Sequence, residues 1–427
     1  MSSSPLRIHI HDWSGHPFQA QLSRELARRG LIVEHSYSSE YVSGKGRLEL
    51  EPDDPETLSF AAITAQHPFD KYSPVGRLRY ELSYAKAWTN QISLTRPDVV
   101  VVCNTSLFMI ERFRRWARRT RTPWVLWHQD FYSLAFAAEL RQKLPGPVAQ
   151  LGGWIASQLE RQSTRSATRV VAIGKEFEAY YQQEWRLRRS GVSVIPNWAP
   201  LSEITPRPLD NPWSAEWIAE RGDLTLVYAG TLGRKHNPGL LVDLIATVRA
   251  RGVDARLLVA SEGEGADVIA ARAGEFPAGA IRVIPFQPAE QFPDMLGAGD
   301  VLVAILEPGA SKFSIPSKVL SYLAAGRPLL GLMPADNPAA DDIAAAGGLV
   351  APPTPEGVAS AADWIVSISG DAAVRAELGT RSRRLAEERF NISRITDQFA
   401  EIIRAAATGV SGSADERRVD TVSDQRN

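Results

Sequence analysis

The stretch Phe313-Ser-Ile-Pro-Ser-Lys-Val-Leu-Ser-Tyr-Leu-Ala-Ala-Gly-Arg-Pro328 carries a helix start, a cation and a helix stop. Pro316 has no backbone N–H to lose in a first helical turn, and Gly326 suits the left-handed conformation that ends one, so the pattern predicts a helix from about Ser317 to Ala325. The amino end of that helix, with Lys318 beside it, is a seat for a diphosphate. Val319, Leu320, Leu323 and Ala324 fall on a sheet-facing side, with Lys318, Ser321 and Tyr322 toward the other. A second stretch, Val227-Tyr-Ala-Gly-Thr-Leu-Gly-Arg-Lys-His-Asn-Pro238, leaves a strand through Gly230 and Gly233, which let backbone approach a ligand, and adds the cations Arg234 and Lys235. A third, Trp127-His-Gln-Asp-Phe-Tyr132, puts His128 and Asp130 at a strand end, where such side chains either cap the next turn or meet a ligand. The loop Ser14-Gly15-His16-Pro17-Phe18 offers a single glycine, a far weaker signal than a dinucleotide fingerprint.

These segments need strand ends to hold them. Short β-branched runs alternate with helical patterns, as in parallel sheets covered on both faces. The first set of runs is Leu6 to His11, Leu31 to Ser36, Asp98 to Cys103, Trp124 to Trp127, Val170 to Ile173 and Ser193 to Ile195. The second is Leu224 to Tyr228, Ala255 to Ala260, Ile281 to Ile284, Asp300 to Ile305 and Pro328 to Leu332. The expected architecture is α/β, two doubly wound Rossmann-like domains in series, with the Pro- and Trp-rich stretch from Pro196 to Asp223 as linker. Domain limits of 1–200 and 201–385 follow, then a helix over 386–407 that crosses back to the first domain and a polar, disordered tail over 408–427. Ligands of such sheets bind beyond the carboxyl ends of the strands, so a cleft between the two domains is the expected place of reaction.

Composition narrows the partners. A chain of 427 residues with 23% charged residues and a net charge of -1 is expected to fold and to bind a small molecule rather than nucleic acid. The one cysteine, Cys103, excludes an intramolecular disulfide and fits a reducing cytoplasm. No apolar run reaches the ~18 residues of a membrane span, and Met1-Ser-Ser-Ser-Pro5 lacks the cationic start of a signal peptide.

Together with Val283-Ile-Pro-Phe-Gln-Pro288, Asp300-Val-Leu-Val-Ala304 and Ile195-Pro-Asn-Trp198, the segments above resemble the retaining glycosyltransferases of family four, and within them the WbuB-like branch of bacterial envelope-polysaccharide enzymes. The resemblance runs from about Leu6 to about Ala407. It implies the GT-B fold, with the acceptor on the first domain and a sugar nucleotide, expected to be a UDP-sugar, on the second. It implies that Gly15, Gly230, Thr231, Arg234, Lys235, Ser314, Ile315, Pro316, Ser317, Lys318 and Ser321 surround the donor, that Phe286 and Gln287 bracket the base, and that Asp130 or His128 stands near the anomeric carbon, with Asp130 favoured. The family carries two glutamates flanking the donor, and here Phe313 and Ser321 occupy those positions; Thr231 stands where an arginine usually precedes the lysine. A serine hydroxyl replaces the two acceptor oxygens of a carboxylate.

The implied chemistry is a retaining transfer in which the leaving diphosphate takes the acceptor proton, with Lys235, Arg234 and the helix amino end opposing its growing charge. No metal or obligatory cofactor is expected, and the pairs Asp53-Asp54 and Asp341-Asp342 read as solvated surface. His16, Lys71 and Arg77 are assigned to the acceptor side, and the acceptor is expected to be a saccharide on polyprenyl diphosphate, met at the inner face of the membrane. Glu111-Arg-Phe-Arg-Arg-Trp-Ala-Arg-Arg-Thr-Arg121 suits a helix lying on anionic lipid through Arg112 to Arg121, with Phe113 and Trp116 interleaved. An epimerase of the same fold and an inactive nucleotide-sugar-binding subunit are the competing readings.

Overall fold

The computed structural model describes residues 5–40, 46–69, 73–187, 191–218, 222–233, 236–308 and 316–409. Lys71, Arg234, Lys235, Phe313, Ser314, Ile315 and the tail beyond 409 lie outside the described residues.

The chain divides into two compact units, the first holding residues up to Ile173, Glu178–Val194 and Thr396 onward, the second Gly174–Phe177 and Ile195–Ile395. The first unit contains β1 (Arg7–Asp12), β2 (Ile32–Ser38), β3 (Leu58–Ile63), β4 (Val99–Cys103), β5 (Trp124–His128), β6 (Arg169–Ala172) and β7 (Val192–Val194), in the sheet order β3-β2-β1-β4-β5-β6-β7. The second contains β8 (Leu224–Ala229), β9 (Ala255–Ala260), β10 (Ile281–Ile284), β11 (Val301–Ile305), β12 (Leu329–Leu332) and β13 (Leu349–Ala351), in the order β10-β9-β8-β11-β12-β13. Every strand pairing in both sheets is parallel. Each order reverses once, between β1 and β4 and between β8 and β11, which opens a crevice at the carboxyl ends of those strands.

The central strands β4 and β11 are apolar throughout because helices cover both faces. Val99–Cys103 and Val301–Ile305 are buried at every residue. The helix Gly239–Ala250 sets Leu241, Leu244, Ile245 and Val248 against β8 and β9, and truncating either leucine or Ile245 to alanine costs about 2–5 kcal/mol.

Several boundaries depart from expectation. β3 and β13 escape a search for β-branched runs, since Leu58–Ile63 has a single β-branched residue, Ile63, and Leu349–Ala351 is only three residues long. The linker stretch contains its own helix, Pro212–Trp217, started by an Asn211–Ser214 capping box and anchored by the buried Trp213. The final helical pattern is two helices, Ala372–Arg389 and Ile392–Thr408, interrupted at Phe390 and Asn391. The second of them sets Phe399 edge-on to Trp127 at 4.7 Å and Asp397 against Arg29, within the first unit. Among the described residues no helix is long and apolar enough to cross a membrane.

Candidate active site

At the second switch point β8 pairs with β11 only through Leu226 and Val227, and beyond them the strands part. The N–H and C=O of Ala229 on that side are taken by one side chain. Ala229 N–H donates to the Tyr322 hydroxyl at 2.8 Å, and that hydroxyl donates to the Ala229 carbonyl at 3.2 Å. Tyr322 is fully buried, contrary to its expected place on the open side of the helix, because only a long side chain with a polar tip satisfies both backbone groups.

The chain then turns through Gly230, whose φ of 131° is a conformation L side chains rarely adopt. A Cβ there would stand 3.2 Å from both Cε and Nζ of Lys318. The glycine therefore makes room for a lysine arriving from the helix Lys318–Ala325, whose observed start is one residue after the expected one. The Lys318 ammonium donates to the Tyr228 hydroxyl and lies over the Tyr228 ring at 3.9 Å from its centroid. Tyr228 in turn donates to the Thr231 carbonyl at 2.8 Å, so ring, turn and lysine form one unit. Burial lowers the Lys318 pKa to about 7. An anion arriving here meets a cation source held by a neutral phenol and a π face. Ser317 at the helix start is exposed, and Pro316 and Ser321 are half-buried.

Phe286 follows β10 with its ring 44% exposed, and its N–H donates to Glu262 at 3.1 Å. Gln287 is engaged within the fold, accepting from Trp213 Nε1 at 2.9 Å and donating to the Pro285 carbonyl at 3.0 Å.

At the first switch point the organising residue is Asp12, which sequence reasoning does not single out. It ends β1 opposite Cys103 of β4, is fully buried, and accepts from Ser14 N–H, Ser14 Oγ and the His16 N–H. The side chain of Asn104, at φ 44°, also bonds it. Burial raises its pKa. Gly15 sits in this loop at φ 70°, with its N–H on the Asp12 carbonyl, while the His16 side chain points to solvent. The signal that could find Asp12 is an aspartate ending an apolar strand two residues before a serine, the pattern of a side chain closing its own turn. The Cys103 thiol is buried and its pKa is pushed up by burial, so it is inert.

His128 and Asp130 separate clearly. His128 is buried at the end of β5, its Nδ1 2.5 Å from the Tyr181 hydroxyl and its Nε2 3.4 Å from Glu160 Oε1. Glu160 also accepts from Tyr132 N–H, Ser133 N–H and Ser133 Oγ, so it caps the helix Tyr132–Lys143 and fixes the imidazole together. Asp130 is exposed just past the strand. A cavity of about 20 Å³, bounded by Asn104, His128, Gln129, Tyr132 and Glu160, has room for about one water. Arg77 pairs with Glu81 at 3.0 Å on the helix Pro74–Thr95.

The acidic pairs are not solvated surface as expected, because arginines hold them and Asp54 and Asp342 are largely buried. Glu51, Asp53 and Asp54 approach one another, but Arg24 binds Asp54 at 3.0 Å and Arg28 binds Asp53 at 3.1 Å. Asp342 faces Arg389 at 3.1 Å and burial pushes its pKa up to about 6. The arginine-rich helix Leu107–Thr120 differs from expectation as well. Phe113 is buried and stacked on Trp88 at 4.6 Å, Trp116 bonds Ser93 through Nε1, and Glu111 holds Arg114 and Arg115, so the aromatics are withdrawn from the outer face.

The glycosyl transferase 4-like domain family matches residues 5–198, and the glycosyl transferases group 1 family matches residues 223–367. A curated relative, the probable glycosyltransferase WbjE of Pseudomonas aeruginosa, is 30% identical over 173 residues, a match covering 39% of this chain and 41% of that protein. Among solved structures, sucrose-phosphate synthase from Thermosynechococcus elongatus superposes with a TM-score of 0.69 at 14% identity over 95% of this chain and 100% of the other. Anabaena HepE in complex with UDP and glucose gives 0.66 at 14% identity over 94% and 100%. WaaG, a glycosyltransferase involved in lipopolysaccharide biosynthesis, gives 0.63 at 15% identity over 93% and 99%. With the two family domains in succession on two Rossmann-like units, the chain belongs to the family-four type of glycosyltransferases of GT-B fold.

Proposed function

We propose that the protein transfers a sugar from a UDP-sugar to a saccharide precursor carried on polyprenyl diphosphate, with retention of anomeric configuration, as an envelope-polysaccharide enzyme of the WbuB-like kind. The observation that carries the donor half is Lys318, lodged on Tyr228 at the Gly230 turn of a switch point. UDP in the complex of the similarly folded HepE supports uridine as the base. Lys318 and the first turn of its helix oppose charge on the leaving diphosphate, and that diphosphate accepts the proton of the attacking hydroxyl. Arg234 and Lys235 are assigned to the same diphosphate, and Asp130 to the anomeric centre. Asp12 shapes the Gly15 loop, and the first unit takes the acceptor. No metal is required in this scheme.

Calorimetric titration with UDP, GDP and ADP without metal should show binding of UDP in preference to the others. Incubation of a UDP-sugar with a lipid-linked saccharide should release UDP in step with a new glycolipid whose linkage keeps the donor's anomeric configuration by NMR. Absence of nucleotide binding would remove the donor reading. Interconversion of the free UDP-sugar without acceptor would assign the site to an epimerase instead, and an inverted linkage would remove the retaining mechanism.

A further inference from the structure

The helices Tyr132–Lys143 and Gly146–Ser166 form a hairpin whose inner contact is made by glycine. A Cβ on Gly152 would stand 2.5 Å from Leu140 Cδ1, and one on Gly153 would stand 2.9 Å from the Ala137 Cβ. Two adjacent glycines weaken a helix, so their presence here is explained by the close approach they permit. Because small residues make that contact, the bulky apolar residues of the second helix are left outside. Trp154 is 61% exposed, Leu151 59%, Val148 53% and Ile155 44%, and Leu144 in the connecting turn is 42% exposed. At 3.6 residues per turn these four helical positions share an arc of about 120°, opposite the buried Ala149, Ala156 and Glu160. A continuous, outward apolar stripe of this kind marks an interaction surface.

Its charge says what covers it. From Leu140 to Leu159 the chain has the cations Arg141 and Lys143 and no carboxylate. Arg141 has no acidic partner among the described residues, and Glu139 at the edge is matched by Lys143 at 2.5 Å, with Arg77 of the helix Pro74–Thr95 also acting on it. That neighbouring helix adds exposed Val75, Leu78 and Leu82. We infer that the hairpin face of Leu144, Val148, Leu151, Trp154 and Ile155, with Arg141 and Lys143 at its rim, docks the protein on an anionic lipid bilayer. Aliphatic residues with a tryptophan suit the headgroup–acyl boundary, and the cations suit its surface potential. The arginine-rich helix Leu107–Thr120 exposes a single large apolar side chain, Phe108 at 38%, since Phe113 points inward. The inference deepens the reading of a lipid-borne acceptor by naming where the membrane is met, and it does not depend on which sugar moves.

The test is co-sedimentation of the full chain with vesicles of phosphatidylcholine alone and of phosphatidylcholine with about a third phosphatidylglycerol. The wild type should partition onto the anionic vesicles, less so at high salt. The double variant Leu151→Ser/Trp154→Ser should lose at least about tenfold in partitioning, with melting temperature and UDP-glucose binding unchanged, since these side chains support no core. Arg141→Gln/Lys143→Gln should remove the preference for phosphatidylglycerol. Failure of the wild type to bind either vesicle, or equal binding by the apolar double variant, would overturn the inference. So would a dimer in light scattering that the double variant abolishes, because that assigns the face to a second copy. UDP-glucose calorimetry on the same samples reports separately on the donor site, so loss of one reading leaves the other standing.

Discussion

The Lys318 ammonium sits 3.9 Å from the centre of the Tyr228 ring, beneath a glycine turn where a Cβ would stand 3.2 Å from the lysine Cε and Nζ. Burial has brought its pKa down to about 7, so near neutrality a large part of the lysine is uncharged. A bound diphosphate raises that pKa again. Between the two values binding must therefore take up a proton, and affinity falls as pH rises, by up to about tenfold per pH unit. UDP-glucose is the proper probe, since its diphosphate has no titration near neutrality to mask the effect. Calorimetry at pH 6.5 to 8.5 in buffers of different ionisation enthalpy should show weakening with pH and net proton uptake. A flat affinity without uptake would mean that Lys318 does not meet the phosphate.

Gly230→Ala tests the same unit from the backbone side. The new methyl forces a φ near 131° on an L residue and displaces Lys318 from 3.2 Å. The expected loss is about 1–3 kcal/mol of stability together with weaker UDP-glucose binding. Gly233→Ala, where a Cβ meets nothing within 4 Å, is the control for stability and should leave it nearly unchanged. Equal effects at the two glycines would show a general loosening of the turn instead of a Lys318 seat.

The legible parts of this molecule are those encoded locally. β9 and β10 fall at the limits their apolar runs predict, and Gly326 closes its helix at φ 66° as its type demands. What escapes is built from distant partners. Tyr322 is ninety-three positions from Ala229, and nothing in its neighbourhood announces that it completes a strand. Glu160 likewise serves His128 and Ser133 from the far end of the next helix. The arginine-rich helix misleads for another reason. Ile110, Phe113 and Ala117 recur at helical spacing and mark an inward face, but the run of arginines around them suggests an outward one.

Glu160 and Asp130 should separate structure from chemistry at the end of β5. Glu160 is buried and accepts from two backbone amides and a serine hydroxyl beside His128, so Glu160→Gln replaces an acceptor oxygen with a donor and should cost about 1–3 kcal/mol. Asp130→Asn lies at an exposed position and should leave the urea midpoint within error while lowering turnover with UDP-glucose affinity intact. If Asp130→Asn transfers sugar at the wild-type rate, the role at the anomeric centre passes away from Asp130.

The first sheet holds three fully buried histidines, His9 and His11 on one face and His35 on the other. Trp88 donates to His9 Nε2 at 3.2 Å, which leaves the proton on Nδ1 for Glu34 at 2.9 Å. His11 stacks on Trp88 at 3.7 Å, and Ser23 meets His35 Nδ1 at 2.7 Å. Burial, with the other histidines adding, holds His11 well below the ordinary 6.5 and His35 at about 3. An unfolded chain protonates both near 6.5, so below that pH it binds protons the folded chain refuses and stability falls. The loss should reach about 2–3 kcal/mol by pH 5.5 if both remain neutral in the fold. Urea unfolding at pH 7.5 and 5.5 measures it, and His11→Gln/His35→Gln should flatten the difference while lowering stability at the higher pH. Identical wild-type midpoints at the two pH values would show that the cluster accepts protons without opening, and the buried-neutral assignment would fail.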